Sequence, residues 1–160
     1  MSLATLISGV QGVVAGVASI PDGQVHARRR RVDTLAELTA IARSASGQPI
    51  HMWWVYPQSE DVRLLSGNAT TFRYVYQIAI EGFYSLSDDN SSEVTFRGIV
   101  DDLQVAMRRD MDPTGGGSAV VRPARLIDFT FQKLLNMPAV HHALLLADAH
   151  EFVTDSLGGP

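Results

Sequence analysis

Phe72-Arg73-Tyr74-Val75-Tyr76-Gln77-Ile78-Ala79-Ile80-Glu81-Gly82-Phe83-Tyr84 alternates along its whole length. Its even positions read Phe72, Tyr74, Tyr76, Ile78, Ile80, Gly82, Tyr84, and its odd positions Arg73, Val75, Gln77, Ala79, Glu81, Phe83. Only a strand with one buried face needs that period of two. Shortly after it comes Ser87-Asp88-Asp89-Asn90-Ser91, a cluster rich in helix-capping side chains, and then apolar residues at Val94, Phe96, Ile99, Val100, Leu103 and Met107. That spacing predicts a helix from Val94 to Arg109 with one apolar stripe, leaving Arg97, Asp101 and Arg108 towards water.

Upstream, Leu3 to Ile20 carries no charge and is followed by Arg28-Arg29-Arg30-Arg31. A short membrane span with a basic flank would look similar. Ser2, Thr5, Ser8, Gln11 and Ser19 dilute the run, however, and Leu3, Leu6, Ile7, Val10, Val13, Val14 and Val17 follow helical spacing, so a helix packed on a sheet is expected. No positive charge precedes the apolar run, which argues against a secretory signal. Pro21-Asp22-Gly23 is a turn and should end this helix. Gln24 to Val32 reads as an edge strand or exposed arm, because four consecutive arginines resist burial. Thr34 to Ser44 is a short helix capped by Asp33 or Thr34.

Ile50 to Tyr56 reads as a strand closed by Pro57-Gln58-Ser59-Glu60, with Trp53 and Trp54 pointing to opposite faces, one to the core and one to an interface. Val62 to Leu65 and the Phe72 strand flank Ser66-Gly67-Asn68-Ala69 and are expected to pair antiparallel. Asp112-Pro113-Thr114-Gly115-Gly116-Gly117-Ser118 reads as a flexible loop, followed by strands at Leu126–Leu134 and Ala139–Val153 about Asn136-Met137-Pro138. The expected fold is a single α+β domain over residues 1–154. It has a mainly antiparallel sheet with two main helices packed on one face and the N-terminal helix first, and residues 155–160 form a flexible tail.

At 160 residues the chain is long enough to bury a core without staples. Its formal charge of −4, with 46% hydrophobic and 19% charged residues, suggests neither disorder nor a general affinity for nucleic acid. The absence of cysteine excludes disulfides, cysteine nucleophiles and thiolate metal sites.

Five histidines invite a metal or acid/base reading. His141 and His142 face opposite ways in a strand, and His142 and His150 lie too far apart along it to share an ion. Solvent-facing or interface histidines are therefore expected, unless His26, His51 or a carboxylate arrives from elsewhere. There is no Gly-x-Ser-x-Gly elbow, and Gly115 to Ser118 lacks the lysine of a phosphate loop. Asp88-Asp89 and Asp101-Asp102 are explained by helix starts and solvated flanks. No catalytic residue, metal ligand or cofactor is expected. Arg28 to Arg31 fit three roles: contact with a neighbouring subunit or partner, a solvated edge, or nucleic-acid binding.

The uncharged first helix, the Pro21-Asp22-Gly23 turn, the Phe72 to Gly82 strand, the Val94 to Arg109 helix and the late His141-His142-Ala143-Leu144-Leu145-Leu146 strand together resemble tail terminator (tail-completion) proteins of long-tailed bacteriophages. The resemblance implies a structural virion protein without catalysis. Such a subunit forms a ring, typically a hexamer, on the last ring of the tail tube protein, offers its other face to the head connector protein, and leaves a channel through which genomic DNA passes. It implies assembly in the host cytoplasm and residence in the virion neck, with no membrane. Arg28, Arg29, Arg30 and Arg31 are then candidates for subunit contact. The Thr34 to Ser44 helix and the Gly115 to Gly117 loop are either elaborations or marks of another neck component, such as a head-tail stopper or tube-like subunit. A small metal-dependent enzyme is the remaining alternative, resting on the histidines alone.

Overall fold

A computed structural model of the chain describes residues 2–28, 34–43, 50–64, 71–86, 91–110, 112, 119–133 and 139–154. The elements are α1 (Leu3–Ala15), β1 (Val25–His26), α2 (Leu35–Ala42), β2 (His51–Leu64), β3 (Thr71–Ser85), α3 (Ser92–Arg109), β4 (Ala119–Val121), β5 (Arg125–Lys133) and β6 (Ala139–Thr154). The strands form one sheet in the order β1-β2-β3-β6-β4, with β5 also on β6. Among the described residues only the β1–β2 pairing is parallel. The fold is α+β, mainly antiparallel, with the N-terminal helix first. Five expected features lie outside the described residues: the Ser66–Ala69 hairpin tip, Ser87 to Asn90, the loop from Pro113 to Ser118, Asn136-Met137-Pro138, and the tail 155–160.

The alternation of β3 divides the sheet into two faces. On the first, Tyr76, Ile78 and Ile80 pack with Trp53 and Val55 of β2 and with Ala143, Leu145, Ala147 and Ala149 of β6. Both main helices cover this face: α1 through Leu6, Ile7, Val10 and Val14, and α3 through Phe96, Ile99, Val100, Leu103 and Met107. Val94 does not join the stripe and is 73% exposed. It precedes Phe96 by two residues, roughly 200° around the helix axis at 100° per residue. Ser91, the N-cap of α3, has φ 49° and makes no side-chain capping bond, contrary to the capping expected of this cluster. Gly82 stands opposite Trp53 across β2–β3, and a Cβ there would overlap the indole ring, so only glycine lets that ring lie flat on β3.

Two boundaries differ from expectation. α1 ends at Ala15, not at Pro21, with Gly16 as its C-cap; Gly12 and Gly16 raise the backbone entropy cost of continuing. Val17 and Ile20 still reach the core from the turns that follow, and Gly23 takes the positive φ of 76° that the turn demands. β2 is not closed at Pro57-Gln58-Ser59-Glu60 but runs through it, with a register shift between Pro57 and Ser59. Proline is tolerated there because no described strand pairs with the outer side of β2 at that level. The bulge exchanges the two faces of β2: Met52, Trp54 and Tyr56 point away from α1 and α3 before it, and Ser59, Asp61 and Arg63 after it.

The second face is covered at one end by α2. Leu38 and Ala42 pack there on Ile50, Met52, Trp54, Phe83 and Val140. Trp53 and Trp54 do face opposite ways, yet both are buried, so neither is an interface residue; α2 takes the cover that a partner was expected to supply. Thr34 caps α2 in a reciprocal box with Glu37: Thr34 Oγ1 accepts from Glu37 N at 3.2 Å, and the Glu37 carboxylate accepts from Thr34 N at 3.1 Å.

Candidate functional site

Four of the five histidines are buried and His26 is half-buried, rather than solvent-facing as expected, and His26, His141, His142 and His150 each hydrogen-bond to another element. His26 Nε2 lies 3.2 Å from the Ile41 carbonyl oxygen, linking β1 to α2. His51 Nε2 accepts from Trp53 Nε1 at 3.0 Å, and burial lowers the His51 pKa to about 4. His141 Nε2 lies 2.8 Å from Ser92 Oγ, fastening the start of α3 to β6. His150 Nδ1 accepts from Arg73 Nε at 3.0 Å, and its pKa is lowered by burial first and then by Arg73 and Arg122.

His142 is the most heavily engaged. Its Nε2 lies 3.1 Å from Glu81 Oε1 and its Nδ1 3.3 Å from Asp128 Oδ2. Tyr56 donates its hydroxyl to Glu81 Oε2 at 3.0 Å, and Thr130 donates to Asp128 Oδ2 at 3.0 Å. The chain Tyr56–Glu81–His142–Asp128–Thr130 thus crosses β2, β3, β6 and β5 on the face away from α1 and α3. A carboxylate thus lies against each ring nitrogen. A register shift between Leu126 and Asp128 puts Asp128 in this row: without it, Asp128 would share the helix-covered face of Leu126.

The arrangement is a clamp. With both ring nitrogens held from opposite sides, His142 has no free atom to present to a substrate or an ion. Its two carboxylates instead fasten the edge strand β5 to the centre of the sheet. Among the described residues no group of three or more His, Asp or Glu side chains is placed to hold a metal ion. No described helix is long and apolar enough to cross a membrane. Glu81 and Asp128 were not singled out from the sequence; the available signal was an acidic residue inside each of two apolar runs.

Of the arginine run, Arg28 is exposed just beyond β1, in a shallow hollow of about 320 Å³ shared with Gln11, Val25, His26 and Ala27. Arg29, Arg30 and Arg31 lie outside the described residues.

The features best suited to recognition are two sheet edges. β1 pairs with β2 only at Trp53 and Trp54, and no described strand pairs with the outer side of β2 from there to Leu64. This free edge exposes Gln58, Ser59, Glu60, Asp61, Val62 and Arg63. At the other end, the outer side of β5 is also unpaired among the described strands. It exposes Ile127 (51%) and Phe131 (56%). Alongside it a shallow cleft of about 540 Å³ is lined by Glu93, Val94, Arg97, Gly98, Asp101 and Phe129, with the Arg97 guanidinium 5.4 Å from the centre of the Phe129 ring. Unpaired edges of this length invite a further strand unless covered. No protein-family model matches the chain, and no curated protein matches it in sequence.

Proposed function

We propose that this protein is a structural, ring-forming subunit of a bacteriophage neck, acting as a tail terminator that caps the tail tube and joins it to the head connector. The observation that supports the reading is the unlike pair of free edges, polar and acidic on β2, aromatic and aliphatic on β5. Two different surfaces on opposite sides of one subunit suit head-to-tail contact, which closes into a ring when the rotation per subunit divides a full turn. The engagement of the histidines in the fold, the mildly acidic body and the α+β order with its leading uncharged helix accord with the same role. The ring would leave a channel for DNA without reading its sequence.

Two measurements test this together: particle mass and ring counting on purified protein and on necks recovered from virions, and tail length in a phage lacking the protein. Closed rings at the tail–head junction and tails of abnormal length are expected. A subunit that is monomeric in both settings, with normal tails in its absence, would overturn the proposal.

A further inference from the structure

We infer that the free edge of β2 pairs antiparallel with the free edge of β5 in a second copy of this chain, so that the sheet continues from subunit to subunit. The inference rests on the ring reading and specifies its contact. Strand direction supplies the first argument. β2, β3, β6 and β5 alternate in direction across the sheet, since each neighbouring pair is antiparallel. A second copy rotated about an axis parallel to the strands therefore brings its β2 beside β5 in the antiparallel sense, the more stable one. The same rotation keeps like faces together.

Length and side chains supply the second argument. β5 is 9 residues long, about 30 Å at roughly 3.3 Å per residue, and the unpaired stretch of β2 beyond Trp54 is of similar length. Glu60 and Val62 share the helix-covered face of their strand through Tyr76 and Tyr74, as Phe129 does through Ala143. Centring one edge on the other sets Glu60 of the second copy beside Phe129, within reach of Arg97, and Val62 beside Ile127. Arg97 lies over the Phe129 ring and pairs with Asp101 at 3.4 Å in an exposed contact, and exposed pairs exchange at little cost. The match is acid to base and aliphatic to aliphatic.

The faces supply the third. Two helices thicken one side of each subunit, so a closed ring of such wedges carries α1 and α3 outside. The opposite face then turns to the axis, with Asp61, Arg73, Gln77 and Asp148 among its side chains.

Because the chain has no cysteine, single-cysteine variants report the contact without background. A mixture of Val62→Cys and Ile127→Cys, treated with a short bis-maleimide, should give the mixed dimer, while neither variant alone should cross-link. The double variant should give a ladder ending at the ring number. Val62→Lys, at an exposed site, should leave the thermal melt unchanged and reduce the assembled fraction on the order of tenfold by charging an edge that must pair. Rings that persist without the mixed cross-link, and that tolerate Val62→Lys, would overturn the edge pairing and leave the ring reading standing. Cross-linking of Val62→Cys to itself would mean a two-fold contact and also overturn it. Absence of any assembly, free or in virion necks, would remove both.

Discussion

The two faces of the sheet solve the problem of burial by different means. On the helix-covered face the centre is Phe96, with Trp53, Tyr84, Phe129 and His141 ring centres at 5.8, 5.7, 5.6 and 6.0 Å. On the other face, beyond the reach of α2, side chains meet through charge and hydrogen bonds: Glu81–His142–Asp128, Arg73–His150, and Asp148 between Gln77 and Arg125. The first face supplies the stability, since apolar area removed from water dominates it. The second sets which strands neighbour which, and leaves its outer part open for contact. Phe96→Ala should therefore give the largest loss, about 4 kcal/mol, through transfer and cavity terms together. Phe152→Ala, 57% exposed on the other face, should change stability by less than about 0.5 kcal/mol. Urea titration of both variants checks the contrast, and equal losses would break it.

Next in size is the clamp. His142→Leu removes the ring held between two carboxylates and leaves Glu81 buried beside an apolar group, which should cost about 3 kcal/mol. Adding Glu81→Leu removes the buried carboxylate as well, so the double variant should be more stable than His142→Leu alone. Were the double variant the weaker of the two, the clamp would be ordinary packing, and the chemical difference between the faces would shrink.

Much of this contrast is legible in the sequence, and what is not has identifiable causes. The period of two in β3 and the stripe of α3 locate the first face directly, because a face packed on helices must repeat at the period of each element. The antiparallel β2–β3 pair and the last two strands follow from alternation and turn chemistry. Both bulges were hidden. Each inserts one residue that exchanges faces, and a strand read through Pro57 or Ile127 at constant period loses its register there. The histidines were misplaced for a related reason: parity gives the face of a residue, not what covers it. Glu81 and Asp128 become partners of His142 only through strand pairing distant in sequence.

His51 gives the contrast a pH dependence. Its pKa falls to about 4 in the fold, below the 6.5 of an ordinary histidine, so between these values the unfolded chain binds more protons. Stability from this group is complete above pH 6.5 and declines as the pH falls towards 4. Between pH 7.5 and pH 5 the loss should be about 2 kcal/mol, and His150, lowered in the same direction, adds to it. Urea midpoints at the two pH values measure the decline. A His51→Gln variant should flatten it, and an undiminished slope in that variant would assign the effect elsewhere.

The smallest effect isolates the covered end of the second face. Thr34→Ala removes the hydroxyl that accepts from Glu37 N, and leaves the backbone half of the capping box, Thr34 N donating to the Glu37 carboxylate, on its own. A loss of about 1 kcal/mol is expected. That loss should be local, since α2 has only 8 residues and joins the sheet through Leu38 and Ala42. Amide exchange should then quicken in α2 while α1 and α3 keep their protection. Trp54, under α2, and Trp53, under α1 and α3, supply optical probes of the two faces. With Trp53→Phe in the background, Trp54 emission should shift to the red in Thr34→Ala at urea concentrations where far-ultraviolet dichroism is unchanged. If both signals move together, α2 unfolds with the rest, and the second face shares the cooperativity of the first.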